Sequence, residues 1–166
     1  MLSTMIKTTV SVVLLTSAMA SFAGDLTVSK EITVNASPET TWKMVGDFNH
    51  LDVWHPVVVG SQLTQGNSNS AGAVRLLTLG NGATITEKLV SNNNALKSYT
   101  YAITTSPLPI ADYVSTITVS EAEDGKSTVT WISSFDADGA TDEEAISTIS
   151  GIYDAGLNSL NKHFNN

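Results

Sequence analysis

The chain has 166 residues, 42% of them hydrophobic and 14% charged, which is enough apolar material for one core and one domain. Sixteen acidic residues stand against eight basic ones, giving a net charge of −8 at pH 7. The basic residues occur singly, which disfavours a counterion-releasing surface for nucleic acid or for an anionic membrane. There is no cysteine, which rules out a disulfide frame, a thiolate nucleophile and a zinc–thiolate or iron–sulfur site.

Residues 1–23 read as a secretory signal. Lys7 supplies the positive charge, Thr8 to Ala20 carry none, and Ala18, Ala20, Ser21 and Ala23 offer small residues for cleavage. The run is too short to span a bilayer comfortably, so the expectation is a periplasmic or secreted domain over 24–166 without stable membrane insertion after cleavage. Leu26, Val28, Lys30, Ile32 and Val34 alternate on one side of a first strand. Ser37-Pro38-Glu39 supplies a helix cap, a first-turn proline and an early acid, Gly46 ends the helix, and a second short helix or turn runs up to Pro56.

Six strand-like segments follow: Val57–Leu63, Ala73–Leu79, Ala83–Val90, Leu96–Thr105, Ile110–Ala122 and Ser127–Ala137. Turn formers separate them, among them Gly80-Asn81-Gly82, Asn92-Asn93-Asn94, Pro107-Leu108-Pro109 and Asp124-Gly125, which predicts an antiparallel meander. Thr141 with Glu144 forms a capping box before a long amphipathic helix whose stripe includes Ile149, Ile152, Tyr153, Gly156, Leu157 and Leu160. Only the meander is large enough to cover that stripe, so the fold class is α+β, a seven-stranded antiparallel sheet wrapped around one helix.

Strand parity places Glu87 in an apolar row with Ile85 and Leu89, and Arg75 in another with Leu77 and Leu79. The carboxylate needs a partner, and Arg75, Tyr113 and Ser115 are the candidates; a ligand site and a structural ion pair are both open readings. Tyr99 and Tyr101 share one face, and Trp131, Ser133 and Phe135 another, as core or as cavity lining. His50, Asp52 and His55 lie close in sequence, but their spacing and Pro56 argue against a metal site, and His55 is expected to pack beside Trp54.

Seven pieces, taken in order, resemble a known family: Ala36-Ser37-Pro38 with Trp42, Asp47-Phe48 with Trp54-His55-Pro56, the run from Arg75 to Gly82, Glu87-Lys88-Leu89, Tyr99-Thr100-Tyr101, Ser106-Pro107-Leu108-Pro109 with Tyr113, and Val129-Thr130-Trp131 with Phe135. Over about residues 27–164 the chain resembles the START-like (SRPBCC) superfamily, in its polyketide cyclase/dehydrase-like branch, which is similar to the plant abscisic acid receptors. The resemblance implies a helix-grip fold enclosing a cavity for a hydrophobic small molecule. It implies mouth loops at Gly80, Asn81, Gly82 and at Pro107, Leu108, Pro109, with Glu87, Tyr101, Tyr113 and Ser115 facing the cavity. The lysine that holds the hormone carboxylate in those receptors falls near Gly60, where no cation stands, so abscisic acid is not the expected ligand. The branch also includes a periplasmic accessory protein of methanol oxidation, from which this chain departs by its short connection Asp138–Thr141.

The expected function is therefore an exported protein holding a lipid, isoprenoid or polyketide-like molecule, without a cofactor and without nucleic acid. The expected lining is Arg75, Leu77, Ile85, Glu87, Leu89, Tyr101, Tyr113 and Ser115 from the sheet. Ile149, Ile152, Tyr153 and Gly156 form the helical wall, the glycine leaving space there. Two alternatives stand beside it: a cyclase or dehydratase using Glu87 as acid or base with Tyr113 or Arg75 at the enolate oxygen, and an accessory protein with a periplasmic partner. Nucleophile elbows and phosphate loops are missing.

Overall fold

In the computed structural model, which describes residues 24–165, the alternating segment forms β1 (Leu26–Val34). The signal segment, 1–23, lies outside the described residues. Helix α1 (Pro38–Val45) starts where expected: Ser37 Oγ accepts the Thr40 N–H at 3.3 Å, and the Gly46 N–H closes on the Trp42 carbonyl at 2.8 Å. A single turn, α2 (Leu51–Trp54), ends before Pro56.

The meander comprises β2 (Val58–Gln65), β3 (Val74–Leu79), β4 (Thr84–Asn93), β5 (Ser98–Thr105), β6 (Ile110–Glu121) and β7 (Ser127–Ala137). All pair antiparallel with their sequence neighbours, and β1 adds to the far side of β7, giving the order β1-β7-β6-β5-β4-β3-β2. This is the expected seven-stranded helix-grip arrangement. Two irregularities aim side chains inward. The β4–β5 register slips between Thr86 and Glu87, and the β6–β7 register slips between Ala111 and Val114, where Asp112 takes a φ of 51°. Glu87 and Tyr113 sit beside these slips.

Helix α3 (Asp142–Asn165) begins with the capping box: the Thr141 N–H donates to Glu144 Oε2 at 3.0 Å, and the Glu144 N–H donates back to Thr141 Oγ1 at 3.3 Å. Its buried stripe of Ala145, Ile149, Tyr153, Gly156, Leu157 and Leu160 lies in the concave face of the sheet, where Tyr153 stacks on Trp131 with centroids 4.2 Å apart and planes 14° apart. No helix among the described residues is long and apolar enough to cross a membrane.

One expectation is corrected here. Gly156 does not leave free space. A Cβ at that position would lie 2.6 Å from His55 Cδ2 and 3.0 Å from ring carbons of Trp54 and Trp131, so the glycine admits three rings that fill the gap. Gly156→Ala therefore gains about 1 kcal/mol of helix propensity and loses more to overpacking. The expected net is a destabilisation of about 1–2 kcal/mol in urea unfolding; a stabilised variant would mean that the rings yield.

Candidate functional site

The site begins with two residues directly opposite in the β3–β4 ladder, Arg75 and Glu87. Both are buried. Arg75 Nε donates to Glu87 Oε2 at 2.7 Å, while Nη2 stands 2.5 Å from the same oxygen as an ion-pair contact without hydrogen-bond geometry. Nη1 donates to the Phe48 carbonyl, and the guanidinium lies over the Phe48 ring, 4.2 Å from its centroid. Arg75 thus ties the α1–α2 connection to the sheet through Nη1 and to Glu87 through Nε, while Nη2 makes no hydrogen bond. Burial pushes the Glu87 carboxyl above its ordinary range and Arg75 pulls it back. Arginine keeps its charge in proteins, so a neutral Glu87 would strand a buried cation; the pair is ionised at neutral pH.

Beside it runs a second polar group. Trp131 Nε1 donates to Tyr101 Oη at 3.1 Å and to Ser115 Oγ at 3.0 Å. Tyr101 and Tyr113 hydroxyls are 3.4 Å apart, those of Tyr113 and Tyr153 2.5 Å, and Tyr153 reaches Ser115 at 2.9 Å. Ser115 Oγ donates to the Ile132 carbonyl at 2.9 Å. Burial pushes the Tyr153 phenol to about 12 and those of Tyr101 and Tyr113 well above 10, so all three are neutral. The expectation that Tyr113 or Ser115 bonds Glu87 is corrected: their hydroxyls are taken up in this chain, and neither makes a hydrogen bond to Glu87.

Between sheet and helix lies a cavity of about 60 Å³. Leu77, Ile85, Glu87, Tyr101 and Tyr113 of the sheet line it, with Ile149 and Ile152 of α3, as named from the sequence. Leu89, Arg75, Ser115, Tyr153 and Gly156, also named, do not reach it: Arg75 and Ser115 are engaged elsewhere, Tyr153 stacks under Trp131, and Gly156 is covered by rings. Of the two turns proposed as a mouth, Gly80, Asn81 and Gly82 stay outside while Leu79 lines the cavity, and Leu108 lines it where Pro107 and Pro109 do not. Val57 also lines it and is 43% exposed, so the cavity reaches the surface on that side.

Sequence reasoning missed Leu51, His55, Val57 and Val58, because a short helix and a strand start carry no periodicity that reveals their inward side. Ile103 was findable, since it continues the parity of Tyr99 and Tyr101. His55 is buried against Trp54 and Trp131, with Nε2 2.9 Å from the Ile152 carbonyl and Nδ1 accepting the Val57 N–H at 3.3 Å. Those partners assign a neutral ring protonated at Nε2. His50, by contrast, pairs with Asp47 at 3.2 Å on the surface. Among the described residues no group of three His, Cys, Asp or Glu gathers to hold a metal.

The family model described as "Polyketide cyclase / dehydrase and lipid transport" matches residues 25–165. Among solved structures, the protein XoxI from Bacillus cereus is similar at 37% identity and a TM-score of 0.80, covering 84% of this chain and 96% of its own. An uncharacterized protein from Bacillus thuringiensis reaches 36% and 0.80, covering 85% and 100%. A Thermobifida fusca protein reaches 29% and 0.75, covering 83% and 92%. No curated protein sequence matches significantly.

Two outcomes follow from the geometry. Glu87→Gln leaves Arg75 charged and buried, so it should lower stability by about 3–5 kcal/mol, whereas Arg75→Met with Glu87→Leu should lose less than either single change; a urea double-mutant cycle measures this. Burial holds the His55 pKa below 6.5, so the unfolded chain binds its proton first. Stability is complete above pH 6.5 and falls on acidification below it, by at most about 1.4 kcal/mol per pH unit from this group. His55→Asn should flatten that slope in unfolding measured from pH 7 downward.

Proposed function

The chain belongs to the polyketide cyclase/dehydrase and lipid transport family, and on that premise we propose that it is an exported binding protein that holds a small hydrophobic or amphipathic molecule between its sheet and its long helix. The observation that carries this reading is the cavity, whose lining is apolar except for the Glu87 carboxylate, the Tyr101 and Tyr113 phenols, the Trp131 indole and the His55 imidazole. Export rests on the charge and small-residue pattern of residues 1–23.

Size narrows the ligand. Ligand pockets usually span about 300–1,000 Å³, and a cavity of about 60 Å³ is several times smaller. A whole lipid, isoprenoid or polyketide does not fit it, because Tyr101, Tyr113, Tyr153 and Trp131 occupy the volume that such a molecule would need. The buried part of the ligand is then a few non-hydrogen atoms, and any longer tail passes out along Val57, Leu79 and Leu108. A methyl chemical-shift titration with n-butanol, n-octanol and cholesterol tests this reading. Short straight-chain compounds should shift the Leu77, Ile85 and Ile149 methyls, cholesterol should not, and Ile85→Phe should abolish the shifts by filling the cavity from β4. No shift with any of them, together with no small molecule in mass spectra of protein purified from its native host, would refute binding.

A further inference from the structure

Resting on that binding reading, we propose that the cavity selects ligands that donate a hydrogen bond: small apolar molecules carrying one O–H or N–H, such as short-chain alcohols, in preference to ethers, ketones and carboxylates. The argument follows each polar proton in the lining to its destination. Indole nitrogen can only donate, and Trp131 spends its proton on Tyr101 and Ser115. A backbone carbonyl can only accept, so Ser115 gives its proton to Ile132. With those two ends fixed, the hydroxyls between them have one consistent direction: Tyr153 donates to Ser115, Tyr113 donates to Tyr153, and Tyr101 donates to Tyr113. The remaining donor in the lining, His55 Nε2–H, is held by the Ile152 carbonyl.

Acceptors are not all used in this way. Both Arg75 contacts fall on Glu87 Oε2, and Oε1 receives no hydrogen bond from any described residue, although Glu87 lines the cavity. An incoming O–H or N–H therefore gains a bond to a charged acceptor without breaking one. An ether or ketone has no unspent donor to meet; it must draw the Tyr101 proton away from Tyr113, an exchange of one bond for another. A carboxylate also meets the like charge of Glu87, while Arg75 is buried against Glu87 and Phe48 and absent from the lining, so its unbonded Nη2 does not serve the cavity. The site is acceptor-biased because its cation is locked behind its anion.

The test compares three probes of nearly equal size on the full native protein: n-hexanol, methyl pentyl ether and hexanoate, titrated at neutral pH while the Leu77, Ile85 and Ile149 methyl shifts are followed. One hydrogen bond to a charged acceptor predicts n-hexanol at least about tenfold tighter than either other probe. Equal or tighter binding of the ether or of hexanoate overturns the selectivity and leaves the cavity reading standing; no methyl shift with any probe overturns both. Glu87→Gln, which places an N–H donor beside the same oxygen position, should bring the ether to within about threefold of n-hexanol. A ratio unchanged in folded Glu87→Gln overturns the assignment to Glu87, and if that variant does not fold the native ratio alone decides.

Discussion

The buried pair of Arg75 and Glu87 is the constraint around which the rest of this structure is arranged. Two charges removed from water are tolerable only when each is matched by an opposite charge and by further polar or aromatic contacts. Here the matching draws in three elements: β3 and β4 supply the charges and the α1–α2 connection supplies the Phe48 carbonyl and ring. Closure of the two short helices over one end of the sheet is thus tied to the same guanidinium that neutralises the carboxylate. Because both ion-pair contacts fall on one oxygen, the pair also leaves its second oxygen as the polar character of the cavity.

The grip on the long helix has a different origin. Tyr153 stacked on Trp131, with Trp54 and His55 around the same indole, forms an aromatic cluster in which Trp131 of β7 joins α2 to α3. Gly156 is what allows the cluster to close, since any side chain there would stand where the rings are. This packing takes up most of the room that a helix-grip fold can reserve for a ligand. The hydroxyl chain from Trp131 to Ile132 satisfies the polar atoms of Trp131, Tyr101, Tyr113 and Tyr153, while Trp54 Nε1 and Tyr99 Oη make no hydrogen bond. A small cavity and a rigid, directionally ordered polar wall are therefore two results of the same aromatic filling.

Much of this was legible in the residue order. Period-two alternation gave every strand within a few residues, the turn formers gave their antiparallel sequence, and the Thr141–Glu144 box marked the start of α3. Parity alone put Arg75 and Glu87 on inward faces, and the ladder places them opposite one another. What parity cannot carry is where along a strand the cavity lies. Leu89 and Ile85 share a face, yet only Ile85 reaches the cavity, because Leu89 stands four residues further along β4.

The sequence by itself determined the fold class, the acidic composition, the lack of thiol chemistry and the placing of Arg75 and Glu87 in apolar rows. These depend on local periodicity and on counts, which are properties of the chain order. The tertiary structure decided the size of the cavity, the role of Gly156 and the partners of Tyr113 and Ser115. Each of these depends on which side chains from distant segments fill the same volume, and a hydroxyl or a glycine has no signal in its own neighbourhood that names the ring it will meet.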